Sequence, residues 1–295
     1  MIKKGTSHFG IDTIYKYSHT EIPLTIRSVK NEKTLGVSHV HDFMELVIIT
    51  AGEGAYRDDN AEYQLKPGYV FILHPGTAHH YIKQHHLELT NVIWLSDKLD
   101  LNLYDLPNSP GYNAFFHLEP SIRSKQKSVG AFRLSADQLI EAERLIMHMQ
   151  SELDNNVPGS ALMAVSYFLQ LLTYICRCFS SSDDSEYNEL RRFDKVILFM
   201  NQNYQKNITR AQLAKLAGMG ESTFYRRFKT IMDCSPTHYL KEIRLRHAEE
   251  FLRTTDLNLV EIAYECGLYD GNYLCTIFKQ YFNVTPHQYR EKQRS

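Results

Sequence analysis

LAKLAGMGESTFYRRFKTIMDCSPTHYL at residues 213–240 and IAYECGLYDGNYLCTIFKQYFNVTPHQYR at 262–290 are two copies of one pattern. Phe228 and Lys229 are matched by Phe278 and Lys279, Ser235 and Pro236 by Thr285 and Pro286, and Tyr239 by Tyr289, each fifty residues on. Ahead of the turn Ala214 pairs with Ala263, an offset of forty-nine, so the second copy carries one extra residue between its helices. Each copy has the spacing of a helix-turn-helix. Thr209 with Gln212 forms a capping box that opens a helix, and Leu213, Leu216 and Ala217 are expected on its buried side. Gly218-Met219-Gly220 breaks it. Ser222 is expected to cap the next helix, where Phe224 and Phe228, four apart, face inward while Tyr225, Arg226 and Lys229 face away. In the second copy Asn258 and Glu261 open the helix, Ile262 and Ala263 are buried, Gly267 turns the chain, and Leu274 and Phe278 face inward. Pro236 starts a long connecting helix through Tyr239, Ile243, Ala248 and Leu252, which holds the two units at a fixed separation. Two such units at rigid spacing fit successive major-groove segments, so the expected partner is double-stranded DNA.

Charge is divided the same way. Residues 190–295 hold 17 Lys/Arg against 11 Asp/Glu, a net of +6, so the other 189 residues carry −7 within an overall −1. A basic half is drawn to the phosphate backbone by counterion release, whereas an acidic half is kept off it. A length of 295 residues suits two domains. Cys176, Cys178, Cys234, Cys266 and Cys275 form no CxxC pair, and the spacing of Cys176 and Cys178 about Arg177 reads as ordinary helix packing. No apolar run looks long enough to cross a bilayer, and MIKKGTSHFG lacks the apolar core of a signal peptide, so a reduced, cytoplasmic protein is expected.

The first 130 or so residues read as strands. MELVIIT, GAYRDD, AEYQL, GYVFIL and LELTNVIWL are short, rich in β-branched and aromatic residues, and bounded by Gly, Pro and Asp/Asn. His39 and His41 share one face of a strand by alternation. The spacing from His39 and His41 to Glu45 and Gly52, then Gly68, Pro75, Gly76 and His79, resembles the signature motifs of the cupins, the jelly-roll barrels. That resemblance implies that Glu45 and His79 lie near the two imidazoles in an apolar barrel. The four groups suit a divalent metal, hydrogen bonds to the hydroxyls of a sugar, or a purely structural cluster. His74, His85 and His86 read as strand-end or surface residues.

Two amphipathic helices follow. Ser135 with Gln138 opens the first, with Leu139, Ala142, Ile146, Met149 and Leu153 as its stripe; Leu162, Val165, Leu169, Leu172 and Cys176 continue the pattern in the second. Residues 155–159, NNVPG, are the turn between them. The stripe either pairs with its copy in a homodimer or packs on the barrel. SSSDDSEYNE at 180–189 is polar throughout and reads as a linker.

The repeat closely resembles the arabinose-regulator (AraC) type of transcription factor over about the last hundred residues. Leu268 stands where that family usually has Phe, and Asp233 and Asn283 stand where Gly is common. HVHDFMELVIITAGEG, PGTAHHY, LTNVIW and the second copy further resemble the L-rhamnose regulators of the family, which are activators answering to a sugar. The resemblance implies a cytoplasmic regulator with a small-molecule pocket, no catalysis and no cofactor unless the barrel holds a metal. RNA polymerase is then a further partner, which Asp270 would touch unless it caps a helix.

The expected fold is an α+β multidomain chain: a cupin-like sensor barrel over 1–134, a helical hairpin over 135–180, a linker over 181–190 and a double helix-turn-helix over 191–293. Ser222, Tyr225 and Arg226 in the first recognition helix, and Gly271, Asn272, Tyr273 and Thr276 in the second, are the expected base contacts, with Arg to guanine the commonest such pairing. Arg227, Lys229 and Lys279 are expected to add to the DNA contacts, Arg227 and Lys279 on phosphate. His39, His41, Glu45 and His79 are the ligand candidates. Two competing readings are a metal-dependent cupin enzyme, such as a sugar isomerase or dioxygenase, fused to a DNA-binding tail, and a barrel that only dimerises.

Overall fold

The computed structural model describes residues 7–9, 22–30, 37–58, 62–99, 101, 105–120, 132–155, 157–182 and 187–294. It divides into two compact units, Met1–Arg191 and Arg192–Ser295. Residue 156 of the turn read at 155–159, and residues 183–186 of the linker, lie outside the described residues.

The first unit is built on one eight-stranded sheet: β1 Ser7–Phe9, β2 Leu24–Lys30, β3 His39–His41, β4 Met44–Asp58, β5 Glu62–Leu65, β6 Tyr69–Leu73, β7 His79–Trp94 and β8 Phe132–Arg133. Pairing is antiparallel except between β1 and β3. The two long strands do the organising. Residues 45–48 of β4 pair with β6 and with the end of β7, whereas 54–57 pair with β5 and with the start of β7. Register shifts between Ile49 and Ala55 separate these halves, and bulges of this kind bend a strand.

MELVIIT and GAYRDD, read above as separate strands, are therefore one bent strand, β4. Gly52 is the reason: it has φ +69°, and a Cβ there would fall 2.0 Å from the carbonyl oxygen of His86. Only glycine lets the backbone bend at such close approach without ending the strand. β2, LTIRSVK, was missed although Leu24 and Ile26 alternate with polar neighbours.

The two halves enclose Val29, Val47, Ile49, Tyr56, Tyr63, Leu65, Phe71, Leu73, Tyr81, Leu87 and Leu89. Leu46, Ile48, Val92 and Trp94, on the other face, are equally buried, because helices cover that side. The run LTNVIW is buried on both faces for that reason.

α1 (Ala136–Asn155) and α2 (Ser160–Ser181) form the covering hairpin. The Trp94 ring lies 5.1 Å from that of Phe168 on α2, and 6.4 Å from Phe116 in a π-helical turn, Ala114–Leu118. His74 bonds the Phe116 carbonyl through Nε2 at 2.9 Å, so it ties that turn to the end of β6. In α1 the buried stripe is Ala142, Leu145, Ile146, Met149 and Leu153. In α2 it is Ala164, Phe168, Leu171, Leu172, Ile175, Cys176 and Phe179. Leu162, counted above in the α2 stripe, is instead 74% exposed. α2 is apolar around most of its circumference, and among the described residues it is the one helix long and apolar enough to cross a membrane. The expectation of no such run is corrected on that point. The buried side of α2, which includes Phe168, covers the sheet, and Leu162 on its outer side does not.

α3 (Asn188–Asn203) leads into the second unit, which continues with α4 (Arg210–Leu216), α5 (Glu221–Met232), α6 (Pro236–Thr254), α7 (Leu259–Glu265), α8 (Gly271–Phe282) and α9 (Pro286–Arg294). Thr209 with Gln212, and Asn258 with Glu261, make complete capping boxes. Ser235 caps α6, with Pro236 as its first residue. Asp233 and Asn283 sit at φ +55° and +59° just past α5 and α8, where their short polar side chains tolerate the left-handed region as glycine would.

Two expectations fail locally. Leu216 ends α4 on its outer side and is 39% exposed, while Ala214 takes its place inside at 2%. Ser222 does not cap α5; the cap is Gly220, with no side-chain bond, and Ser222 lies in the first turn.

Candidate functional site

Each helix-turn-helix presents its second helix with one face buried and one face open. On α5, Phe224, Phe228 and Ile231 are buried. Ser222, Arg226 and Lys229, at i, i+4 and i+7, form an exposed row with Thr223 and Thr230 beside it. On α8, Leu274, Ile277 and Phe278 are buried, and Asn272, Thr276 and Lys279 form the matching row, fifty residues on at every position. Tyr273 is 47% exposed beside it.

The remaining candidates are placed differently. Tyr225 is half-buried under the Arg210 guanidinium, 5.4 Å from its ring centroid. Arg210, which the sequence reading missed, thus fixes the edge of the row from α4. Arg227 is half-buried rather than fully displayed. Gly271 is the first residue of α8; a Cβ there would meet Val260 and Leu259 at 3.4 to 3.5 Å. Asp270 caps α8, its Oδ1 accepting from the Asn272 amide at 2.8 Å.

The second candidate site lies inside the sheet of the first unit. His39 and His79 are cross-strand partners, and Glu45 enters from β4. His41, Glu45 and His79 are 1%, 4% and 1% exposed. Nε2 of His41 is 3.2 Å from Glu45 Oε2, and Nε2 of His79 is 3.8 Å from the same oxygen. His39 is half-buried at the margin, its ring 4.2 Å from that of His79 and 6.5 Å from that of His41. The structure brings three of the four together and leaves His39 beside them.

Each imidazole is oriented by a main-chain carbonyl two residues away: His39 Nδ1 by Val37 at 3.1 Å, His41 Nδ1 by Phe43 at 2.7 Å, and His79 Nδ1 by Thr77 at 3.1 Å. A carbonyl can only accept, so all three Nδ1 atoms carry the proton. Phe43 also stacks on His41, with ring centroids 4.3 Å apart and 6° between planes. Burial pushes His79 down to about 3 against the pull of Glu45. Burial likewise lowers His39, opposed by its bond to Val37. For Glu45, burial pushes the carboxyl up, but His41, His79 and His39 together outweigh it and hold the group below the usual range.

Family comparisons agree with this division. Residues 37–172 match the AraC-like ligand binding domain, and residues 213–292 match a helix-turn-helix domain. The HTH-type transcriptional activator RhaR of Enterobacter sp. (strain 638) is 26% identical over 87% of this chain and 87% of its own length. The protein of the same name from Escherichia coli (strain K12) is 28% identical over 85% of this chain and 86% of its own. Among solved structures, the DNA-binding domain of AdpA in complex with a target DNA is 27% identical, covering 34% of this chain and 89% of that one, with a TM-score of 0.32. The chain belongs to the AraC-type family of transcription regulators. It is a DNA-binding regulator and not an enzyme, and no comparison favours the cupin-enzyme alternative.

Proposed function

We propose that this chain is a sugar-responsive, sequence-specific transcription activator that acts in the cytoplasm as a homodimer. The observation that carries the reading is the union, in one chain, of an AraC-like ligand binding domain with two exposed recognition rows. Ser222, Tyr225, Arg226, Gly271, Asn272, Tyr273 and Thr276 contact base edges, and Arg227, Lys229 and Lys279 contact the backbone. RNA polymerase is the further partner that an activator requires. Asp270 is engaged as a helix cap, which favours its structural role.

The effector enters the sheet interior, anchored at His39, His41, Glu45 and His79. L-rhamnose is the first sugar to test, given the resemblance to rhamnose regulators and the relatives named above. Binding there alters how the first unit holds its helical hairpin, and so how two subunits present their recognition helices. A saturating sugar that binds only the folded state stabilises it by about 2.7 kcal/mol at a hundred times Kd. Thermal melts of the full chain should therefore rise with L-rhamnose, and Glu45→Gln should shrink the rise while leaving sugar-free DNA affinity nearly unchanged. If deoxyhexoses, pentoses and uronate-derived sugars all leave the melt unmoved, the sugar reading fails.

The homodimer reading rests on the outer face of α2, where exposed Leu162 and half-buried Val165 and Leu169 line a groove of about 560 Å³ with Leu145 and Thr173. Ile146, at 8% exposure, packs within the chain instead. Leu169→Asp together with Leu162→Asp should give monomers with an intact fold by light scattering, whereas Ile146→Asp should destabilise the unit itself by several kcal/mol. A dimer that survives the double substitution would place the interface elsewhere.

A further inference from the structure

We infer that Arg244 and Tyr269 are positioning residues that lock the twist between the two recognition helices. They thereby set how many base pairs separate the two segments that one chain reads. This rests on the assignment of α5 and α8 as the helices that read DNA. A single connecting helix fixes the separation of two bodies but leaves each able to turn about it. α6 meets the first copy at its start, where the Tyr239 ring lies 5.8 Å from that of Phe228, and the second along Leu245, Ala248 and Leu252. A second tie between the copies removes that freedom, and α3 with the turn after it supplies one.

α3 belongs with the first copy through Phe193, packed on Phe224 and Phe228, yet the turn that follows it is held from the other side. Three successive carbonyls of that turn each accept a bond from α6 or from the second copy. Arg244 Nε donates to Tyr204 at 2.8 Å, its Nη2 donates to Lys206 at 3.0 Å, and the Tyr269 hydroxyl donates to Gln205 at 3.3 Å. A guanidinium fork holds both of its carbonyls in one fixed geometry. The Tyr204 ring stacks on His247 of α6, with centroids 3.9 Å apart and 8° between planes. Gly267 closes the contact, since a Cβ there would fall 2.3 Å from the Gln205 carbonyl oxygen. Tyr269 keeps φ +57°, a region that a bulky side chain leaves unless its surroundings hold it there. Arg290 makes the same kind of grip, on the carbonyls of Leu252 and Leu257 at 3.4 and 2.6 Å, but within the second copy and the end of α6 that packs into it. Arg244 therefore ties the two copies together, whereas Arg290 braces one of them.

The test compares the full chain and its variants on duplexes that carry one in vitro selected site, unaltered or with a base pair inserted between its two segments. One inserted pair moves the second segment about 3.4 Å along the axis and turns it by roughly 35°. Wild type should bind the inserted site at least about tenfold more weakly. Arg244→Met, which keeps an aliphatic stem and removes both bonds, should bind the two sites within about threefold of each other. Its base preference inside each segment should stay as in wild type. Tyr269→Phe, which removes one hydroxyl, should reduce the insertion penalty by less. Arg290→Met loses as many bonds and should lower the melting temperature, yet keep the wild-type penalty. Should Arg244→Met fail to fold by circular dichroism, Tyr269→Phe carries the test, its penalty falling below that of wild type. An unchanged penalty in the folded variant, or an equal fall in Arg290→Met, would overturn the inference. Base preference in wild type without any spacing preference would overturn it and spare the reading of α5 and α8; no base preference in either segment would sink both.

Discussion

The two helix-turn-helix copies share their buried positions and differ at several places where a residue meets something outside the copy. Phe224 and Phe228 correspond to Leu274 and Phe278, all fully buried. The first copy packs them against Phe193 of α3, whose ring lies 5.9 and 6.1 Å from theirs. Both copies pack the shared phenylalanine on the matching tyrosine, Phe228 on Tyr239 at 5.8 Å and Phe278 on Tyr289 at 5.7 Å, and the second copy adds Phe282 at 4.4 Å from Phe278. The turn glycines adopt the same left-handed conformation, φ +66° at Gly218 and +69° at Gly267. Around Gly218 there is open space, whereas a Cβ on Gly267 would fall 2.3 Å from the carbonyl oxygen of Gln205. The exposed rows match at their final lysine but not at their centre, where Arg226 stands against Thr276. The buried pattern specifies a scaffold used twice, and the open face of each copy is free to read a different base sequence.

The largest expected difference between the copies is at those glycines. Gly218→Ala should cost about 1 to 2 kcal/mol, the penalty for a left-handed non-glycine residue. Gly267→Ala should cost more, because the Gln205 backbone must also move. Urea denaturation of the two variants measures this directly. Equal costs would mean that the close packing around Gly267 has no energetic weight.

A smaller contrast lies at the helix starts. Asp270→Ala removes a cap from α8 and should cost about 1 kcal/mol. Ser222→Ala, which removes no cap from α5, should change stability by less than about 0.5 kcal/mol. A stability loss at Ser222 comparable to that at Asp270 would show that the serine caps α5 after all.

Much of the second unit was legible because its signals are local. A capping box spans four residues, and Thr209 with Gln212 or Asn258 with Glu261 needs no distant partner to form. Leu216 differs from its expectation because the buried face of this short helix runs through Leu213, Ala214 and Ala217, which leaves Leu216 on the outer side. Ser222 does not cap because the chain enters α5 two residues earlier, through Gly220, and a serine near a helix start does not by itself fix the cap position. The first unit was less legible. That MELVIIT and GAYRDD are one strand depends on the approach of Gly52 to His86, 34 residues away in sequence. His39, His41, Glu45 and His79 were visible as a motif. Their tautomers were not, since these depend on where the carbonyls of Val37, Phe43 and Thr77 point.

The central claim is that the open rows of α5 and α8 read base edges, and Arg226 tests it most directly. Binding of the full chain to an in vitro selected site, and to its single base-pair variants, should be followed by fluorescence anisotropy at fixed salt. Arg226→Ala should lose about 1 to 3 kcal/mol and relax discrimination at one base pair, whereas Lys279→Ala should weaken all sites alike and lower the salt dependence. Full-strength binding with unchanged base preference in Arg226→Ala would contradict the assignment of α5 as a recognition helix.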